Sequence, residues 1–211
     1  NYCLLRQDLV TEPGRVGHFI AANFDRKEVI IGLKGTSTFS DVLTDIIGKA
    51  KDYKLEGAFS EGYKSDTIQC HEGILTAALM MADDLEQLIE KLLLPSGFNI
   101  VICGHSLGAG TACLLGLLLR SRIPTLREDD TRLKVFAYAT PPVLNHEAAI
   151  ACSCFVRSIV NDYDMIPRMS LSNLVIMNKL LIRVDKELEK DGLSPTTWRG
   201  LKKLVSDLMV Y

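Results

Sequence analysis

Short, near-continuous apolar runs alternate along the chain with longer segments whose apolar residues recur at helical spacing. The runs at 17–24, 28–34, 99–104, 133–139 and 155–160 are bounded by turn formers and predict strands. Helical spacing predicts helices at 39–47, 72–94, 106–120, 172–190 and 195–210, the last two with Lys, Asp and Glu on one side. The polar, glycine-punctuated stretch 49–69 predicts a loop or flexible cover. Strands this apolar are covered on both faces, and their alternation with helices predicts an α/β domain built on a mostly parallel central sheet flanked by helices.

Between Lys91 and Arg120 no charged residue intervenes, which raises the question of a membrane span. Pro95, Gly97, Gly104, Gly108 and Gly110 interrupt the stretch, so a buried strand followed by a buried helix is expected instead. With 211 residues, 47% hydrophobic and 24% charged, the expectation is a single domain over 1–211. A net charge of -2 without basic runs argues against a nucleic-acid partner. The six cysteines are scattered, with no CxxC pair and no histidine at zinc-ligand spacing, and no Asn-x-Ser/Thr sequon occurs. These features point to free thiols in a reducing, cytoplasmic compartment.

The stretch "NIVICGHSLGAGTACLLGLLL" changes the picture. Gly104, His105, Ser106, Leu107 and Gly108 follow a predicted strand and open a helix rich in small residues, the setting a nucleophile elbow requires. Ser106 is then the candidate nucleophile, at the amino end of a helix whose dipole favours negative charge. The N–H of Leu107 is the expected oxyanion donor. A glycine-rich turn with an incidental serine is the alternative. A carboxylate is needed past a later strand, and "FVRSIVNDYDMIPRM" offers Asp162 and Asp164.

With "GLKGTSTFSDVLTDI", "CHEGI", "VFAYATPPVL" and "NDYDMIPRMSLSNL" in order around that elbow, residues 19–174 resemble the class 3 lipases of the α/β-hydrolase fold, and among them the sn-1-specific diacylglycerol lipases. The resemblance implies that Thr36, directly after Gly35, is a second oxyanion residue. It also implies that Asp164, before an apolar pair and Pro167, is the acid in preference to Asp162. Lys34 stands where many members have arginine.

The four histidines, His18, His71, His105 and His146, all precede Asp164, whereas this fold's order places the base after it. His105 adjoins the nucleophile and its side chain leaves in another direction. His71 reads as a structural hydrogen-bonding residue, His146 as the start of a surface helix, and His18 as part of an early strand. The chain, which begins at Asn1, therefore reads as an incomplete lipase domain, cut before the last strand and the catalytic histidine and inactive alone. Membrane segments outside it stay open. The resemblance implies an acylglycerol substrate, diacylglycerol first, a membrane surface as partner, and no metal or organic cofactor. Residues 172–190 are either a cap or an ordinary helix on the sheet. A lipid-binding module without catalysis, a phospholipase A1 and a general esterase are the competing readings.

Overall fold

The computed structural model describes residues 1–10, 16–35, 49–59, 63 and 65–190. They fall into two compact units, divided between Pro167 and Arg168. The first holds a six-stranded sheet made of Cys3–Asp8 (β1), His18–Asn23 (β2), Glu28–Leu33 (β3), Asn99–His105 (β6), Leu133–Tyr138 (β7) and Val156–Ile159 (β8), in the order β1-β2-β3-β6-β7-β8. The β1–β2 and β2–β3 pairs are antiparallel, and β3, β6, β7 and β8 run parallel. Ala50–Lys54 (β4) and Thr67–His71 (β5) form a separate antiparallel pair.

The parallel register lines up rows of β-branched and aliphatic side chains. Val29, Ile100 and Leu133 form one row, and Ile31, Ile102 and Val135 the next, all essentially inaccessible to solvent. Two helices close this face, Glu72–Leu88 (α1) and Leu107–Arg122 (α2), with α2 against β6 and β7 and α1 against α2. Because α2 lies between the sheet and α1, every residue from Gly108 to Arg120 is buried. A helix covered all round has no use for a polar stripe, which explains the long uncharged run. Shorter helices Pro124–Glu128 (α3) and His146–Ala151 (α4) precede β7 and β8. The opposite face, which carries Phe19, Gly32, Cys103 and Tyr138, is more open: Phe19 and Tyr138 are exposed and Cys103 is half-buried.

The expected mostly parallel sheet and flanking helices are present, with three differences. β1 is an edge strand of six residues, and its CLLRQD sequence lacks the alternation that would announce it. The segment expected to be a loop at 49–69 contains most of the β4–β5 pair, whose pairing of AKDYK with TIQCH is set by cross-strand register that no local pattern encodes. The helix expected to run to 94 is α-helical to Leu88 and then passes into a π turn, Ile89–Leu93. The helices expected at 39–47 and 195–210 lie outside the described residues.

Arg120 organises the far end of α2. Its fully buried guanidinium donates from Nε to the Ala58 carbonyl (3.1 Å), and from Nη1 to the Leu126 carbonyl (2.9 Å) and Asp130 Oδ1 (2.7 Å). The Phe155 ring centroid lies 4.7 Å from its Cζ. One side chain thus satisfies carbonyls from separate segments that would otherwise be buried without donors. Nearby, Arg122 donates to Asp83 and Glu86 of α1, at 2.7 and 3.0 Å.

In the second unit, Leu171–Lys190 (α5) starts on Ser170, whose Oγ accepts the Asn173 N–H at 3.2 Å. Ile176, Leu180 and Val184 form an exposed apolar row along it. Among the described residues no helix is long and apolar enough to cross a membrane.

Two outcomes follow from this packing. Arg120→Ala leaves several carbonyls without a donor and lowers the unfolding free energy by about 3 kcal/mol in urea titration. Arg120→Lys recovers only part of it, since one ammonium cannot reproduce the planar fork. Burial pushes the Cys70 thiol up to about 11 and Cys113 up to about 12, and holds Cys152 well above its usual value. At pH 8 a thiol reagent should therefore label exposed Cys3 in the folded protein and reach these three only on unfolding.

Candidate active site

Ser106 sits between β6 and α2 with φ 55° and ψ −123°, a conformation a non-glycine residue adopts at a cost of about 1–3 kcal/mol. The surrounding backbone holds it there. Its N–H donates to the Tyr138 carbonyl (2.9 Å), and its carbonyl accepts from Ala109 and Gly110 (2.9 and 3.1 Å). The side chain is nearly enclosed, with 4% of the residue exposed.

Close backbone approach makes this turn possible. A Cβ on Gly104 would lie 2.3 Å from the Gly108 carbonyl oxygen, and one on Gly108 would lie 2.5 Å from the Leu33 carbonyl oxygen. The end of β3 reaches the elbow as well: a Cβ on Gly35 would lie 2.5 Å from the His105 carbonyl oxygen and 3.6 Å from Ser106 Cβ. Any side chain at these positions would push strand, helix and loop apart. Leu107, expected to donate its N–H to an oxyanion, is the first residue of α2 and half-buried. Thr36 lies outside the described residues; its neighbour Gly35 comes close to the His105 carbonyl, next to the serine.

Asp164 follows β8 in a tight turn. Its N–H donates to the Asn161 carbonyl (2.9 Å), while Asp162 within that turn has φ 46°. Asp164 Oδ1 accepts the Ile166 N–H at 3.0 Å, which fixes the carboxylate against its own backbone. Asp162 thereby shapes the turn that presents Asp164. A cleft of about 520 Å3 at the carboxyl ends of β6, β7 and β8 is lined by His105, Tyr138, Ala139, Ile159, Asp162 and Asp164. Ser106 is buried beside this cleft and does not line it.

His105 faces the open side of the sheet, in register with Tyr138, and shares the cleft with Asp164. That shared cleft depends on β8 lying beside β7, a long-range pairing that no local pattern encodes. The remaining histidines serve elsewhere. His71 caps α1, its Nδ1 accepting the Ile74 N–H at 3.3 Å, in line with a structural role. His146 is exposed at the start of α4. His18 is buried, with Nδ1 3.3 Å from the Val16 carbonyl and no hydrogen-bond partner for Nε2. A further strained residue, Ala139 (φ 52°), donates its N–H to the Ile159 carbonyl (2.9 Å). Left-handed conformations thus occur at the ends of three adjacent parallel strands, and a non-glycine residue in that region leaves no mark in sequence.

The described residues hold no group of three or more His, Cys, Asp or Glu placed to bind a metal ion. Burial raises the Cys103 thiol above its ordinary value, so this residue presents a neutral side chain next to the elbow.

Residues 30–174 match the family model described as Lipase (class 3). Human diacylglycerol lipase-alpha is 34% identical over 178 residues, which is 79% of this chain and 16% of that protein. Mouse diacylglycerol lipase-beta is 30% identical over 194 residues, 87% of this chain and 27% of that protein. The chain thus spans well under a third of the length of these relatives. In structure, the Rhizomucor miehei lipase in its propeptide complex matches with a TM-score of 0.66 at 20% identity, covering 81% of this chain and 52% of that one. The lipase from Rhizopus microsporus var. chinensis matches with a TM-score of 0.64 at 22% identity, covering 81% and 57%. These likenesses are to enzymes of the α/β-hydrolase fold, and the chain belongs to the class 3 lipase family.

Proposed function

We propose that this protein is a serine hydrolase that cleaves carboxylic esters of acylglycerols, with diacylglycerol as the preferred class. The observation that carries the reading is the strained Ser106 at the β6–α2 junction, where Gly35 comes so close to the His105 carbonyl that it has no room for a Cβ. A family of lipases, and relatives named diacylglycerol lipase at 30–34% identity, support the substrate class.

In this reading Ser106 Oγ attacks the ester carbonyl carbon and gives its proton to an imidazole. The carbonyl oxygen becomes an oxyanion that accepts from the N–H of Leu107 and from Thr36. Asp164 holds that imidazole in the correct tautomer and stabilises its protonated form. The imidazolium returns the proton to the leaving glycerol oxygen, and water then releases the fatty acid by the same steps in reverse order of partners. We assign the base to a histidine other than the four present here. His18, His71 and His146 have the structural placements described above, and His105 is held on the neighbouring strand position with its side chain on the open face. No step calls for a metal or an organic cofactor. Docking on a lipid surface, with the protein on the cytoplasmic side of a membrane, completes the proposal.

Hydrolysis of a dispersed diacylglycerol by the intact protein tests it. Ser106→Ala should abolish turnover, and Asp164→Asn should lower kcat by about 10⁴ with the fold intact. Asp162→Asn, which keeps a residue tolerant of the left-handed conformation, should retain far more activity than Asp164→Asn. His105→Gln should likewise keep measurable turnover. Full activity in Ser106→Ala would contradict the reading. Gly104→Ala should remove activity together with folded stability, because its methyl would meet backbone rather than a movable side chain.

A further inference from the structure

We propose that the cavity between the β1–β2 edge of the sheet and α1, lined by Arg6, Asp8, His18, Met80 and Asp84 among others, binds a small aliphatic primary ammonium. The inference is independent of the hydrolase reading, since none of these residues lines the cleft that holds Asp164.

Strand register and helix position bring acceptors together. Asp8 and His18 stand directly opposite each other on β1 and β2, so their side chains leave the same face of the sheet, with Cβ atoms about 5 Å apart. Arg6, two residues before Asp8, shares that face, and its Nη1 donates to Asp84 Oδ2 of α1 at 2.7 Å. Both side chains of this ion pair are partly exposed, a setting in which such pairs are weak and exchange partners readily. His18 supplies the observation that points to a ligand. Only 6% of the residue is exposed, its Nδ1 lies 3.3 Å from the Val16 carbonyl, and its Nε2 is closed from water with no hydrogen-bond partner. A carbonyl only accepts, so Nδ1 carries the proton of the neutral ring and Nε2 holds a bare lone pair. A buried acceptor in this state is costly, and what it lacks is a donor.

The chemistry of the wall selects among donors. The carboxylates of Asp8 and Asp84 stand against the one guanidinium of Arg6, so the wall favours a cation. Among the described residues no three of His, Cys, Asp or Glu are placed to share a metal ion, so an organic cation fits the wall better. No Phe, Tyr or Trp among the described residues lines the cavity, which disfavours a quaternary ammonium. A primary ammonium instead brings three donors, enough for His18 Nε2 and a carboxylate oxygen on either side. Buried Val16 and Met81 meet its carbon chain. Exposed Met80, unbranched and flexible, is the part of the wall that turns aside to admit the ligand to Nε2. The cavity's volume of about 220 Å3 holds roughly seven water-sized groups, which limits the ligand to a short amine.

Binding is measured by nuclear magnetic resonance on the intact protein, 13C-labelled at its methionine methyl groups and titrated with ethanolamine. The Met80 and Met81 resonances should shift saturably, with a Kd of roughly millimolar order for so small a ligand. Ethylene glycol, which lacks the ammonium, and tetramethylammonium, which has no N–H, should bind at least about tenfold more weakly. His18→Leu should weaken ethanolamine binding by at least about fivefold, the worth of one hydrogen bond. Asp84→Asn, a partly exposed helix position that leaves the core untouched, should do the same and guards against misfolding of the His18 variant. Glycerophosphoethanolamine separates the two sources of such an ammonium. Tighter binding than ethanolamine, with Arg6 meeting the phosphate, assigns the site to a lipid headgroup; equal or weaker binding assigns it to a free amine. Absence of a saturable shift, equal affinity for ethanolamine and tetramethylammonium, or ethanolamine affinity unchanged in both variants would overturn the site.

Discussion

The contact of three backbones at the carboxyl end of β6 is the constraint on which the rest depends. Gly104 and Gly108 meet with no room for a side chain, Gly108 touches the end of β3, and Gly35 lies against His105 and Ser106. With strand, helix and loop this close, the chain can pass from β6 to α2 only through the left-handed conformation at Ser106. The strain is sustained by what lies behind it: rows of fully buried aliphatic residues in the sheet, and a helix buried from Gly108 to Arg120. Arg120 and Arg122 tie the other end of that helix to its neighbours, so the elbow is built on an element that cannot easily shift.

The two faces of the sheet divide the work. The helix-covered face is close-packed and supplies rigidity, while the open face carries the cleft that holds Asp164. Parallel strands place the functional residues at one edge, since β6, β7 and β8 all end there, and each end contributes a strained turn. In the proposed chemistry the nucleophile and the acid then come from separate strands, and the spacing of the strands sets their separation.

Much of this was legible in the sequence, for physical reasons. The strands β3 and β6 are largely apolar on both faces and stand out as runs, and the uncharged stretch from 92 to 119 read correctly as a buried strand and a buried helix. The elbow glycines were legible because close approach admits only one residue type. The β4–β5 pair and β1 were missed because their residues are polar or unpatterned and their strand character comes from a distant partner. The shared cleft of His105 and Asp164 was missed for a similar reason, since strand order brings them together across nearly sixty residues of chain. Asp162 has a left-handed backbone in the turn before Asp164, a feature with no mark in the sequence.

The most direct measurement of the central claim is a crystal structure of the intact protein after reaction with an alkyl phosphonate that mimics the tetrahedral intermediate. The account predicts a covalent bond from Ser106 Oγ to phosphorus, with the phosphonyl oxygen about 3 Å from the N–H groups of Leu107 and Thr36. An adduct on another residue, or a phosphonyl oxygen directed away from both donors, would contradict it.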